Sequence, residues 1–163
     1  APQQLRFPAL RPFHRPPAEP DTQGAYVAVL GVPFDTAASF RPGQRFGPSA
    51  VREISVLLRP SNQFHKFNAF DQVRVVDAGD VPAIPGDIET TYQRISESIA
   101  HLATVGTVPV GIGGDHSITL GELRGLAKVM GPVAHVRLDA HCDTWGNYWV
   151  MGDRAGRPVG RAG

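Results

Sequence analysis

Four short apolar runs, separated by helix-length amphipathic stretches, constrain this chain more than any other feature. They are 26–32 (YVAVLGV), 73–77 (VRVVD), 108–112 (VPVGI) and 133–138 (VAHVRL). Runs that do not alternate suit strands buried on both faces, as in a parallel sheet. After the first run, Pro48 suits the first turn of a helix, Val51, Ile54, Leu57 and Leu58 give that helix an apolar face, and Pro60 closes it. The stretch 61–70 reads as loop. Asp87 is a good N-cap, and Ile88, Tyr92, Ile95, Ile99 and Leu102 recur at steps of four and three until Gly106. Leu120, Leu123, Leu126 and Met130 form a further helix stripe, stopped by Gly131-Pro132. Strands alternating with helices predict a parallel α/β sheet.

Three of the predicted strand ends carry acids: Asp35, Asp77 with Asp80, and Asp139. The last belongs to Asp139-Ala140-His141-Cys142-Asp143. In extended backbone, residues two apart share a side, so Asp139, His141 and Asp143 can converge while Cys142 faces away as a small packed residue. Oxygen and imidazole donors together suit divalent Mn, Fe, Co, Ni or Zn. Upstream, Gly113-Gly114-Asp115-His116-Ser117 follows a strand and opens a helix, which brings His116 to the same sheet edge. Open α/β sheets place their sites at that edge. Gly113 and Gly114 read as tight backbone turns. Asp35 is expected to orient the loop that follows it, and Arg41 and Arg45 to pin that loop to carbonyls or carboxylates. His135 reads as a packed core or edge residue rather than a ligand, whereas His14, His65 and His101 read as surface.

Composition narrows the function classes. A formal net charge of +1 gives no field pointing to nucleic acid or to an acidic membrane. No apolar run approaches the ~18 residues of a membrane span. The single cysteine, Cys142, permits no internal disulfide and makes a reducing compartment the default. The expected location is therefore the cytoplasm, with the mitochondrion open because the Pro-rich, basic arm at 1–22 has a faint transit-peptide bias. That arm is expected to lie extended over a neighbouring surface. There is no Gly-x-Gly-x-x-Gly turn, no Gly-x-Ser-x-Gly elbow and no phosphate loop. The segment 150–163 is rich in Gly and Arg, lacks apolar periodicity and is expected to be disordered.

Four blocks together resemble the ureohydrolase family of arginases and agmatinases, and its agmatinase-like branch most. They are Gly31-Val32-Pro33-Phe34-Asp35; Arg41-Pro42-Gly43-Gln44-Arg45-Phe46-Gly47-Pro48; Gly113-Gly114-Asp115-His116-Ser117; and Asp139-Ala140-His141-Cys142-Asp143-Thr144. The resemblance implies a three-layer α/β fold with a longer parallel sheet, of which residues 23–149 are about the first half. It implies two Mn ions and a hydroxide that attacks a guanidinium carbon, releasing urea and an amine. By position, His116, Asp139 and Asp143 match ligands of one metal, and His141 matches a ligand of the other, with Asp139 bridging. Asp143 also matches the catalytic residue that accepts a hydrogen bond from the hydroxide. Asp115 or Asp80 could hold the imidazoles from behind.

Family members run to roughly twice this length and carry downstream a second Asp-x-Asp pair and a His-Gly segment. Neither follows His141 here, so the chain is expected to be truncated. The expected substrate is a linear guanidino compound, agmatine or 4-guanidinobutyrate, and the complete protein is expected to be a homo-oligomer. Two other classes stay open at this point: a catalytically inactive fragment or subunit-interaction piece, and a mononuclear metal hydrolase of deacetylase type, which shares the fold.

Overall fold

The computed structural model describes residues 22–59, 61–62 and 64–141. Three of the four apolar runs form one parallel sheet: β1 (Val27–Val32), β4 (Val75–Asp80) and β5 (Val108–Gly113), in the order β4-β1-β5. Val27 stands opposite Val75 on one side and Val108 on the other. The first strand is thus the middle of the sheet. Between β1 and β4 lie a 3-10 turn at Gln44–Phe46, α1 (Gly47–Ser55), an antiparallel pair β2 (Ser61–Asn62) and β3 (Phe67–Asn68), and α2 (Ala69–Gln72). The loop expected at 61–70 therefore contains a small hairpin and the start of a helical turn. Asn62 closes the hairpin by accepting from the backbone N–H groups of Phe64 and His65.

Two further helices, α3 (Ile88–Thr104) and α4 (Ile118–Met130), cover one face of the sheet. Asp87 caps α3 as expected, its side chain accepting from Thr90 N–H at 3.0 Å. Tyr92, Ile95, Ile99 and Leu102 are buried against Ala28, Leu30 and Val32 of β1. Phe34 meets Tyr92 edge to face at 6.2 Å. The alternate residues of β1 face the other way: Gly31 lies under the Arg52 guanidinium of α1 and the Asp80 carboxylate. Helix, sheet, helix make three layers, so the expected α/β architecture holds.

Three expectations need correction. The leucine stripe of α4 is only part of its contact face: Leu120 is buried in the core and Leu126 packs against it, while Met130 is exposed. Gly121 and Gly125 are buried there, and a Cβ on either would come within 3 Å of Ile95 or Ile99 on α3. Glycines let the two helices approach more closely than leucines would. The apolar face of α1 does not pack into the described chain either: Val51, Ile54, Leu57 and Leu58 are exposed, while Arg52 and Ser55 are buried. The inner face is polar because it meets carboxylates of β4.

The fourth run takes no place in the sheet. Residues 133–138 hold no ladder position, and Val136 and Leu138 are 87% and 97% exposed. An apolar run becomes a strand only where both its faces are covered. The outer strand β5 offers little cover, since Val108 and Val110 are themselves about half exposed. His135, read as a core or edge residue, is exposed with them and so is not in the core. The arm at 1–22 lies outside the described residues except for Thr22, which is buried. The segment 150–163 lies outside them altogether.

Candidate active site at the C-terminal edge of the sheet

The ends of β1 and β5 are joined by their backbones. Gly114 N–H donates to Val32 C=O at 3.1 Å, and Asp115 N–H donates to Phe34 C=O at 2.7 Å. A Cβ on Gly114 would stand 1.8 Å from the Phe34 carbonyl oxygen. Glycine is required there by close approach of another backbone, not by the positive φ of a turn.

Two carboxylates then fix the loop after β1. Asp35 accepts from Gly43 N–H at 2.7 Å, from Arg45 N–H at 3.2 Å and from Arg45 Nε at 2.7 Å. The Arg45 guanidinium and the two backbone amides hold its carboxyl down at about 2. Asp35 thus orients the loop, as expected, and Arg45 pins it. Arg41 instead lies over the Phe40 ring at 5.1 Å. Asp115 accepts from Ala37 N–H at 2.9 Å, from Ser117 N–H at 2.9 Å and from the Ser117 hydroxyl. Burial pushes its carboxyl upward despite these donors. Asp115 therefore links the loop to the start of α4, where His116 sits. Asp80, the other suggested support for an imidazole, is engaged by Arg52 instead, at 2.5 Å.

His116 borders a cleft of about 370 Å³ whose wall includes Ser39, Phe40, Arg41, Gln44 and Asp115. Arg137 reaches this point from the far side. Its Nη2 is 3.2 Å from His116 Nδ1 and 2.9 Å from Asp139 Oδ2. Arginine has no acceptor, so Nδ1 of His116 must offer its lone pair in this contact. Asp139 Oδ1 accepts from His141 N–H at 2.8 Å, and the His141 ring stands 3.6 Å from the same oxygen with its side chain largely exposed. The His141 amide first, and Arg137 second, bring the Asp139 carboxyl down to about 2. Asp143 and Cys142 lie outside the described residues, as do Thr144 and both tryptophans.

The profile of the Arginase family matches residues 25–162. The chain belongs to the arginase family. Members of this family are hydrolases acting on guanidino C–N bonds, and their centre is dinuclear manganese. Among relatives, proclavaminate amidinohydrolase of Streptomyces clavuligerus is 38% identical over 139 residues, 85% of this chain and 44% of that protein. Its solved structure superposes with a TM-score of 0.85 at 35% identity, covering 95% of this chain and 52% of that one. A mitochondrial agmatinase of Gallus gallus is 42% identical over 130 residues, 80% of this chain and 38% of that protein. Guanidinobutyrase of Pseudomonas aeruginosa is 39% identical over 132 residues, 81% and 41% respectively. The chain spans less than half the length of these curated relatives.

The donor types of the arginase-family motif suit manganese, but the described residues are not placed as a manganese seat. Among them, no three His, Cys, Asp or Glu side chains form a group able to hold an ion. A guanidinium stands between His116 and Asp139 instead. As placed, the described donors His116 and Asp139 are held by the arginine rather than gathered around one point, and Asp143 lies outside the described residues. The sequence reading passed over Arg137, although its signal was present. Residues 137, 139 and 141 fall on one side of an extended chain by the same rule that gathers Asp139 and His141.

Proposed function

We propose that this chain is part of a hydrolase that splits a linear guanidino compound, agmatine or 4-guanidinobutyrate, into urea and an amine. Water adds across the C–N bond, and its two hydrogens end on the nitrogen products. The observation that carries the reading is the junction of β1 and β5, where a pinned loop, His116 and Asp139 meet at the edge on which open α/β sheets place their sites. A carboxylate kept ionised at Asp139 suits the cationic guanidinium of such substrates. Asp143 is proposed as the catalytic acceptor, and His116, Asp139, His141 and Asp143 as donors to Mn in the complete protein. Their mix of oxygen and imidazole ligands is of the kind Mn accepts. Residues 23–149 would be the N-terminal half of the hydrolase domain. The single cysteine favours a reducing compartment such as the cytoplasm. The complete protein is proposed as a homo-oligomer.

The test is urea release from a panel of agmatine, 4-guanidinobutyrate and arginine in the presence of Mn. It is run on the 163-residue chain and on a chain extended to the relatives' length. Urea from the extended chain, lost on Asp143→Asn, supports the reading. No urea from any compound with either protein sinks it.

One observation favours a second reading, a non-catalytic piece that associates with a longer homologue. Val51 and Ile54 of α1 are exposed together with Leu57 and Leu58 just past its end, and unpaired apolar patches of this kind mark contact surfaces. Co-elution with a full-length relative, abolished by Leu57→Glu, supports it; independent elution refutes it.

A further inference from the structure

We propose that Arg137 is a built-in cation that holds the His116–Asp139 pair shut against a divalent metal and must swing away before one can enter. The inference rests on the reading above that His116 and Asp139 are metal donors. It concerns what occupies them in this chain.

The geometry leaves those donors little to offer. Nη2 of Arg137 takes the Nδ1 lone pair of His116 at 3.2 Å and Oδ2 of Asp139 at 2.9 Å. The other oxygen of Asp139 already accepts from His141 N–H at 2.8 Å. A metal ion held by Nδ1 of His116 and Oδ2 of Asp139 would compete for the lone pairs that the arginine now occupies. It would also bring a second positive charge to within a few ångströms of the first. Like charges at that separation repel, and the repulsion doubles for a divalent ion. Guanidinium and metal therefore compete for the pair.

The arrangement is local. Arg137 and Asp139 are two residues apart, and the chain bends at Asp139–His141 with the Asp139 carboxylate accepting from His141 N–H. The Arg137 side chain is only 15% exposed, whereas Asp139 is 33% exposed. A long cationic side chain is held inward at the point where the family's chemistry calls for an ion. Apparent metal affinity is then the intrinsic affinity multiplied by the fraction of molecules in which the arginine has swung away. Replacing the arginine removes that penalty.

The experiment is an Mn(II) titration of the full 163-residue chain, read by loss of the EPR signal of free Mn. It compares wild type, Arg137→Ala, Arg137→Gln and the double variant Arg137→Ala/Asp139→Asn. Far-UV circular dichroism checks folding, and the glutamine variant keeps length and hydrogen-bond donors should the alanine variant not fold. Both single variants are expected to bind Mn roughly tenfold or more tightly than wild type, and the double variant to lose the gain. Equal binding by wild type and single variants overturns the proposal while leaving the metal reading intact. Binding by none of them overturns both. A gain that survives Asp139→Asn places the ion elsewhere and overturns it too. An independent measurement needs no substitution. On the wild-type chain, the Arg137 Nε–Hε resonance is expected to move to its solvent-exposed position as diamagnetic Zn(II) saturates the site. Zn binding with that resonance unchanged overturns the proposal.

Discussion

The Asp115 carboxylate accepts a hydrogen bond at 2.9 Å from the backbone N–H of Ala37, 78 residues away in sequence. The same carboxylate takes the N–H and hydroxyl of Ser117. One buried side chain thus ties the loop after β1 to the first turn of α4, and His116 is held between the two.

Asp115→Ala should therefore leave the amides of Ala37 and Ser117 unsatisfied in a buried place, at a cost of about 1–3 kcal/mol each before relaxation. Urea denaturation should show a lower midpoint. Hydrogen exchange should quicken at Ala37 and Ser117 while β4 stays protected. Exchange that quickens uniformly, or nowhere, would contradict the local role.

Arg52 offers a larger effect. It is almost fully buried and donates to Asp77 at 2.7 and 2.9 Å, to Asp80 at 2.5 Å and to Gly79 C=O at 2.9 Å. Arg52→Met would leave two carboxylates facing an apolar side chain. Breaking a buried pair from one side typically costs about 3–5 kcal/mol, against a total stability of about 5–15 kcal/mol for a domain. Loss of cooperative thermal unfolding in the Met variant is the expected result. Arg52→Lys should recover only part of it, because a single ammonium cannot span both acids.

Asp35 predicts a pH dependence. Its folded-state carboxyl is held near 2, below the value of about 3.9 for an unfolded aspartate. A depressed carboxylate contributes stability in full above the unfolded value, and loses it as pH falls through the folded one. The melting temperature should therefore be flat from this source above about pH 5 and should fall between about pH 4 and pH 2. Asp35→Asn should flatten that slope, together with faster exchange at Gly43 and Arg45. An unchanged slope would assign the acid sensitivity to other groups.

Gly125 tests the helix contact. An added Cβ would stand 2.6 Å from the Ser96 carbonyl oxygen and 2.7 Å from Ile99 Cβ. Overpacking of this kind costs about 1–3 kcal/mol, and the gain in helix propensity from Gly to Ala recovers about 1 kcal/mol. Gly125→Ala should lower the melting temperature by a few degrees. A rise would mean that α3 and α4 can slide apart at little cost.

These contrasts show which parts of the molecule could be read from its residues. The α3 stripe, its Asp87 cap and the three paired strands are each specified by local pattern and neighbours in one element. The α1 stripe was equally legible as a pattern, yet the pattern names a face that seeks cover without saying what covers it. Here Arg52 faces inward because two acids from β4 meet it, which periodicity cannot foresee. On α4, Leu120 and Leu126 were legible as core contacts, but the glycine seam escaped notice because glycines carry no hydrophobic signal; their role appears only when a second helix is present. The 133–138 run failed as a strand for want of a covered neighbour. Asp139 and His141 were found by spacing. Arg137 has the same spacing, but its place beside His116 depends on the chain folding back from α4.

The position of β1 has a consequence for how the chain is made. It leaves the ribosome first among the three paired strands, yet both its neighbours come later, and β5 is the last of them. Until Gly113 has emerged, the run Val27–Val32 has at most one edge paired. Long-range parallel pairing is slow to form because the intervening loop must close first, and unpaired apolar strands are where nascent chains aggregate. Slow synthesis through 33–113 prolongs the interval in which Val27–Val32 lacks its second partner. Substitutions that hasten α3, which is local and can form alone against β1, should rescue soluble expression without changing the folded structure.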